Sequence, residues 1–370
     1  MPYYLLHHFD PTFDYQNLKP RQLSDGNVDF YNLGYVQNVR TGDLLAEWCD
    51  EPLDDDSGVI QCVYDEKVFP AGKNTVVDPE NPDRLLAAAD GYVFYMDGFI
   101  TVKRTLNVRR DVDFHTGKIF FLGNVIVHGS VRSGFGVQGV NVMVKDIVEG
   151  ASIRAENSIV AETGIKGGGK AVLRAKNNVR AAFVENAQIL AGKCLLVDGA
   201  CMHSDVYSVG QLAVKGMLVG GKAVSSRIIY VEDQLGGGLS TETVLIVGYD
   251  AALLHRVNVL RQRIIALNAS IEESRLKLKK RHNLRSGTFP ELAKQEDKLE
   301  RLKGRHRAVW NDINKVRNLE SCRVLVPGRV RPGVEINIGE ARYVVRDYLE
   351  NVCFRYRDYE VIVESPALQK

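Results

Sequence analysis

A chain of 370 residues that is 45% hydrophobic holds enough apolar material for a sizeable core, which excludes a disordered polypeptide and leaves room for two or three structural units. Its 48 Lys and Arg nearly cancel 46 Asp and Glu, so the net charge of +2 points by itself to neither a nucleic acid nor a membrane surface. The distribution is more informative: 17 basic against 9 acidic residues fall between Asp250 and Glu320, a local excess of +8, against −6 for the remainder.

The opening stretch from Met1 to Pro11 offers only Leu5 and Leu6 before His7, His8 and Asp10. Neither a secretory apolar region nor a membrane span is expected there, and the protein is expected in the cytoplasm. Turn chemistry at Gly42-Asp43, Asp54-Asp55-Asp56, Gly72-Lys73-Asn74 and Asp90-Gly91 punctuates residues 1–116 and predicts a small β-rich head. Six cysteines at positions 49, 62, 194, 201, 322 and 353 contain no C-x-x-C pair and fit reduced thiols packed as small hydrophobes, with neither zinc nor disulfides implied.

Residues 117–249 contain an internal repeat. Nine-residue stretches starting at Phe120, Val137, Ile153, Leu173, Ile189 and Tyr207 superpose at spacings of 17, 16, 20, 16 and 18 residues. The first position is apolar throughout. The third is mostly small, the fifth is Asn124, Asn141, Asn157 and Asn177 in four consecutive copies, and the seventh is Ile126, Met143, Ile159, Val179, Leu195 and Ala213. A further apolar column follows at Val131, Val148, Ile165, Val184, Met202 and Leu218. Alternation of this kind suits a strand with one buried face, asparagine suits the corners, and stacked amides can hydrogen-bond along the pile. Three short strands per turn of ~17 residues describe a parallel β-helix, right-handed by expectation.

From Asp250 the period changes. Leu253, Val257, Leu260, Ile264, Leu267, Ile271 and Leu278 form one apolar seam. Gly287 and Pro290 interrupt it, and Leu292, Gln295, Leu299, Leu302, His306, Val309, Ile313 and Val316 form a second. Two seams of equal length joined by a short loop predict an antiparallel coiled-coil hairpin over 250–320, about 50 Å long. Arg275, Lys277, Lys279, Lys280, Arg281 and Arg285 gather at its tip as a candidate docking surface for an acidic protein, nucleic acid or anionic membrane. Only Phe289 could stack on a base there, which disfavours single-stranded nucleic acid. Residues 321–370 return to short strands, with Pro327-Gly328 and Pro332-Gly333 as turn signals, and are expected to resume or cap the β-helix.

Few residues suggest chemistry. Gly164 to Lys170 and Gly216 to Lys222 imitate a phosphate-binding loop, but each is followed by Ala171 or Ala223 where a hydroxyl must reach magnesium, and neither opens a helix. The Asp54 run lacks a glutamate to complete a calcium loop. His115, His128 and His203 have no partner at metal-ligand spacing and read as structural histidines packed among strands.

Taken in order, Ala89-Asp90-Gly91, the run from Asp111 to Ile119, Gly123 to Gly129, Gly164 to Gly169, Gly236-Gly237-Gly238 with Thr243, and Pro332-Gly333-Val334 resemble the flagellar assembly protein A (FapA) family. The similarity runs from about Gly42 to Val363, and the repeat is also similar to the β-helix of the division inhibitor MinC and to bactofilins. The resemblance implies a mainly β protein with a β-rich head, a central parallel β-helix and a coiled-coil insertion. It further implies a non-catalytic bacterial scaffold that assists flagellar assembly or polar organisation by binding other cytoplasmic proteins or copies of itself. Catalytic, cofactor-binding and metal-binding residues are none, and recruitment to a cell pole or a membrane-associated assembly is expected. The segment before Gly42 is shorter and more aromatic than in many relatives. A β-helix enzyme acting on a polysaccharide or an acyl group, and nucleic-acid binding through the basic tip, are the alternatives.

Overall fold

The computed structural model describes residues 2–22, 26–51, 61–281, 290–313 and 319–367. The chain forms two compact units, Met1–Ile189 with Leu196–Ala200, and Leu190–Leu195 with Cys201–Lys370.

The first unit opens with a five-stranded antiparallel sheet in the order Gln61–Tyr64, Tyr3–His7, Leu44–Cys49, Arg84–Ala87 and Thr75–Val77. Alternation along these strands sends Leu5, Leu45 and Leu85 to one interior, where Val39, Val93, Ile100 and Val102 join them. A three-stranded sheet of Phe99–Lys103, Gly91–Met96 and Asn38–Val39 supplies the last four. Within this unit Asn38 ties sheet to repeat, since its Nδ2 donates to the Phe120 carbonyl at 2.8 Å and its Oδ1 accepts from the Leu122 amide at 3.2 Å.

Beyond residue 104 the pairing becomes parallel. Thr105–Val108, Asn124–Val127, Val142–Val144, Ile159–Ala161 and Asn178–Ala181 form one ladder, each strand beside the next copy of itself. Ile119–Phe120, Gly136–Gly139, Ser152–Ala155 and the end of Gly164–Ala175 form a second. A third column runs through Val112, Val131, Val148 and Ile165. Three parallel ladders per turn are a β-solenoid, and its interior is closed by Val125, Val142, Ile159 and Val179, all fully buried. Within it the asparagine column is a hydrogen-bonded ladder. Asn141 donates to Asn124, Asn157 to Asn141 and Asn177 to Asn157, at 2.8, 2.8 and 2.5 Å.

The repeat is less uniform than its spacing suggests. Val137, Ile153 and Leu173 share a column as expected, but Ile119 rather than Phe120 faces Val137. Ile119 is therefore buried and Phe120 is 52% exposed. Likewise Ile126 and Met143 pair with one another yet stay half-buried, while Val125 and Val142 point inward. The later copies have one more residue, Ser158 or Asn178, between the asparagine and the first inward-facing side chain, and a one-residue slip reverses the face of every side chain that follows.

A second regularity lies in the backbone. Gly169, Asn186, His203 and Gly220 recur at intervals of 17 residues, and all four have positive φ, at 74, 48, 47 and 72°. A side chain at Gly220 would be strained twice, by its φ and by His203 Nδ1 lying 2.5 Å from where its Cβ would stand.

The second unit continues the parallel pattern. Cys201–Ser208, Met217–Ser225, Thr243–Val247 and Val334–Ile338 form one ladder, and Gln211–Val214, Ile228–Val231 and Arg323–Val330 another. Between Val247 and Arg323 the chain leaves the stack as two helices, α1 (Ala251–Arg281) and α2 (Pro290–Ile313). The last strands reverse direction, with Ala341–Val344 antiparallel to Val334–Ile338, Leu349–Arg357 to Arg323–Val330, and Glu360–Glu364 to Leu349–Arg357.

Candidate functional site

The two helices interrupt an otherwise repeating second unit, and their attachment is built from local rules. Asp250 caps α1, its Oδ1 accepting from the amides of Ala252 and Leu253 at 2.8 and 3.1 Å. The Ala251 amide donates to Ser226 Oγ at 3.1 Å, and on the returning chain Cys322 Sγ donates to the Ser226 carbonyl at 3.7 Å. One coil residue thus receives both the departing and the returning chain. Ala251 is buried with Tyr207 and Val224, and the His255 ring stands edge-on to Tyr207 with centroids 5.0 Å apart. Leu319 lies over Gly248 and Gly339, where added Cβ atoms would sit 2.5 and 2.7 Å from its methyl groups.

The helices pack on each other through Val257 and Leu260 of α1 and Val309 and Ile313 of α2. Farther along, Arg275 of α1 donates to Glu296 of α2 at 2.7 Å. Low numbers on one helix meet high numbers on the other, so the pair runs antiparallel. Of the two expected seams, Val257, Leu260 and Ile271 on α1 and Leu299, Val309 and Ile313 on α2 are buried.

Of the basic residues expected at the tip, the structure describes the side chain of Arg275 alone. It is held by Glu272 at 2.9 Å and Glu296 at 2.7 Å, so its charge is largely spent within the protein. Lys277, Lys279, Lys280 and Arg281 belong to α1 by backbone, but their side chains lie outside the described residues, as does Arg285 altogether.

A different basic surface, not singled out by reading charge along the chain, lies nearer the middle of the pair. Arg261, Ile264 and Ile265 of α1 face Lys303, His306 and Arg307 of α2 across a groove of about 340 Å³ with an apolar floor. From 251 to 271, α1 holds Arg256, Arg261 and Arg263 and no acid; from 301 to 311, α2 holds Arg301, Lys303, Arg305 and Arg307 and no acid. Lys303 pairs with Glu300 at 2.8 Å and Arg301 with Asp297 at 2.8 Å, but no described carboxylate pairs with Arg261 or Arg307. Ile265 is 51% exposed, and Trp310, one turn beyond His306 and stacked on its ring at 6.5 Å, is 47% exposed.

The residues weighed for chemistry are dispersed. His115, His128 and His203 are exposed rather than packed, His115 beside Asp113 and His128 beside Asn107. Among the described residues the buried histidines are His7 and His255. The first glycine-lysine stretch lies within the strand Gly164–Ala175, and all of the second but Gly216 lies within Met217–Ser225. The Asp54 run lies outside the described residues. None of the six cysteines is in a disulfide, and burial raises each thiol, Cys201 to about 12, which makes them poor nucleophiles at neutral pH. Among the described residues, no three His, Cys, Asp or Glu side chains converge as a metal site, and no helix is long and apolar enough to cross a membrane.

Parallel ladders, a side-chain amide stack and a helical insertion define a β-solenoid protein. The Flagellar Assembly Protein A (FapA) beta solenoid domain matches residues 104–361, most of the chain, and the protein belongs to the FapA family. No curated protein and no solved structure matches it.

Proposed function

We propose that this chain is a non-catalytic scaffold that assists flagellar assembly through protein–protein contacts, with the helical pair as its docking arm. The observation that carries this reading is the contrast built into the second unit, where the coil strands bury their apolar side chains and α1 and α2 leave the stack carrying Arg261 and Arg307, which no described carboxylate neutralises. In this reading the pair is an antiparallel coiled coil inserted into a right-handed solenoid, and residues 1–116, 117–249, 250–320 and 321–370 act as head, stack, arm and cap. The basic tip from Arg275 to Arg285 is a second contact point. Work takes place in the cytoplasm, at a pole or a membrane-associated assembly, without a cofactor, and the partners are flagellar or polar proteins and further copies of this chain.

The test is affinity capture with the intact protein and with a version in which a flexible linker replaces residues 251–319, both checked for cooperative unfolding. Defined partners that disappear with the helices support the scaffold. Turnover of acyl-CoA or of a uronate polymer by the purified protein, or the absence of any partner, overturns it.

A further inference from the structure

We propose that the groove between α1 and α2 docks an acidic amphipathic helix of a partner protein, seated on Ile264 and Ile265 and flanked by Arg261 on one side and Arg307 on the other. This rests on the scaffold reading and names the chemistry of its partner.

Four features select that occupant. Residues 261, 264 and 265 are spaced i, i+3 and i+4, and so are 303, 306 and 307, so each helix turns one side-chain cluster toward the groove. Axes of packed helices lie roughly 8–10 Å apart, close to the ~10 Å width of a third helix, which can rest between them with its apolar stripe down. The rims carry positive charge from both helices, and Arg261 and Arg307 have no described carboxylate partner, so a stripe flanked on both sides by Glu or Asp is complementary. Finally, a groove walled by helix side chains offers no free backbone amides or carbonyls, so a guest must satisfy its own, which a helix does and an extended peptide does not.

The competing occupants fit less well. A nucleic acid would use the cations and leave the exposed Ile265 and the apolar floor without a role. An anionic membrane calls for a broad apolar face, and here the apolar stripes of both helices are largely consumed by packing on each other.

The experiment uses the full chain and a fluorescent ~18-residue peptide, roughly 27 Å long as a helix, with a leucine stripe flanked by glutamates. Two controls carry glutamines in place of the glutamates, or alanines in place of the leucines. Saturable binding is expected for the first peptide, weaker by at least ~10-fold for either control, and weaker when salt rises from about 0.05 to about 0.2 M. The double variant Arg261→Glu, Arg307→Glu and the single variant Ile265→Asp should each lose at least ~10-fold, while Lys145→Glu, Lys166→Glu on exposed coil positions should lose less than ~2-fold. Arg261, Ile265 and Arg307 are exposed, and unchanged melting will show that the fold persists. Equal binding of all three peptides, or binding indifferent to the groove variants, overturns the proposal. So does a single-stranded oligonucleotide or a phosphatidylserine vesicle that binds through Arg261 and Arg307 where the peptide does not. Repeating the capture with the Arg261, Arg307 double variant separates the two readings. Partners that persist sink the groove and leave the scaffold standing, whereas no partner for the intact protein sinks the scaffold.

Discussion

The β-coils and the helical pair solve opposite problems. In the coils of the first unit every copy completes its neighbour: Asn141 both donates to Asn124 and accepts from Asn157, and Val142 stacks between Val125 and Ile159. In the helical pair only the seam is completed, and the flanks keep cations and the large apolar side chains of Ile265, Leu276 and Trp310 in solvent. A region that satisfies itself resists substitution and offers little to a partner. A region left incomplete tolerates substitution and can bind, so stability and function should separate cleanly between them.

The strongest way to break that comparison is in the interior. Ile159→Ala, at a fully buried position between Val142 and Val179, should destabilise the first unit by about 2–5 kcal/mol in denaturant unfolding. A loss below about 1 kcal/mol would mean the column is not tightly filled. Asn141→Ala removes two ladder bonds and strands an amide on either side, and should cost about 2–3 kcal/mol, more than either end position.

Acid probes the head. His7 is buried against Phe9 and Tyr95, and burial, with a smaller contribution from His8, lowers its pKa from 6.5 to about 4. The unfolded chain therefore takes up this proton more readily than the folded one. Its neutral contribution is present above pH 6.5 and is lost as the pH falls toward 4, a change of roughly 3 kcal/mol. Chemical unfolding across that range should show the decline, and His7→Leu should flatten it. Smaller again is Asp250→Ala, which removes the cap of α1 and should cost about 1 kcal/mol. Smallest is Arg275→Ala, whose exposed, solvent-screened ion pairs should leave the thermal melting midpoint nearly unchanged.

The legible parts of the fold were those in which each copy must match the next. The asparagines at 124, 141, 157 and 177 stood out because a ladder of amides requires one residue type at one height. The two helices were equally readable, because from Asp250 the apolar spacing changes from two residues to alternate threes and fours. Facing was harder, since Phe120 and Ile119 are both apolar and only the partner strand decides which is buried. The groove was invisible for a different reason: Arg261 and Arg307 lie 46 residues apart, and only antiparallel packing brings them together. Density of charge along the chain highlighted the run after Arg275 instead, whose first member is already neutralised by Glu272 and Glu296. His7 gave no signal because its neighbour Tyr95 is remote in sequence.

Ser226 meets the chain both as it departs at Ala251 and as it comes home at Cys322. The rung beneath consequently does not register how many residues travel in between. Matched turns could be added to or trimmed from α1 and α2 with no change of step below, so reach can vary among relatives while the tower they rise from keeps its gauge.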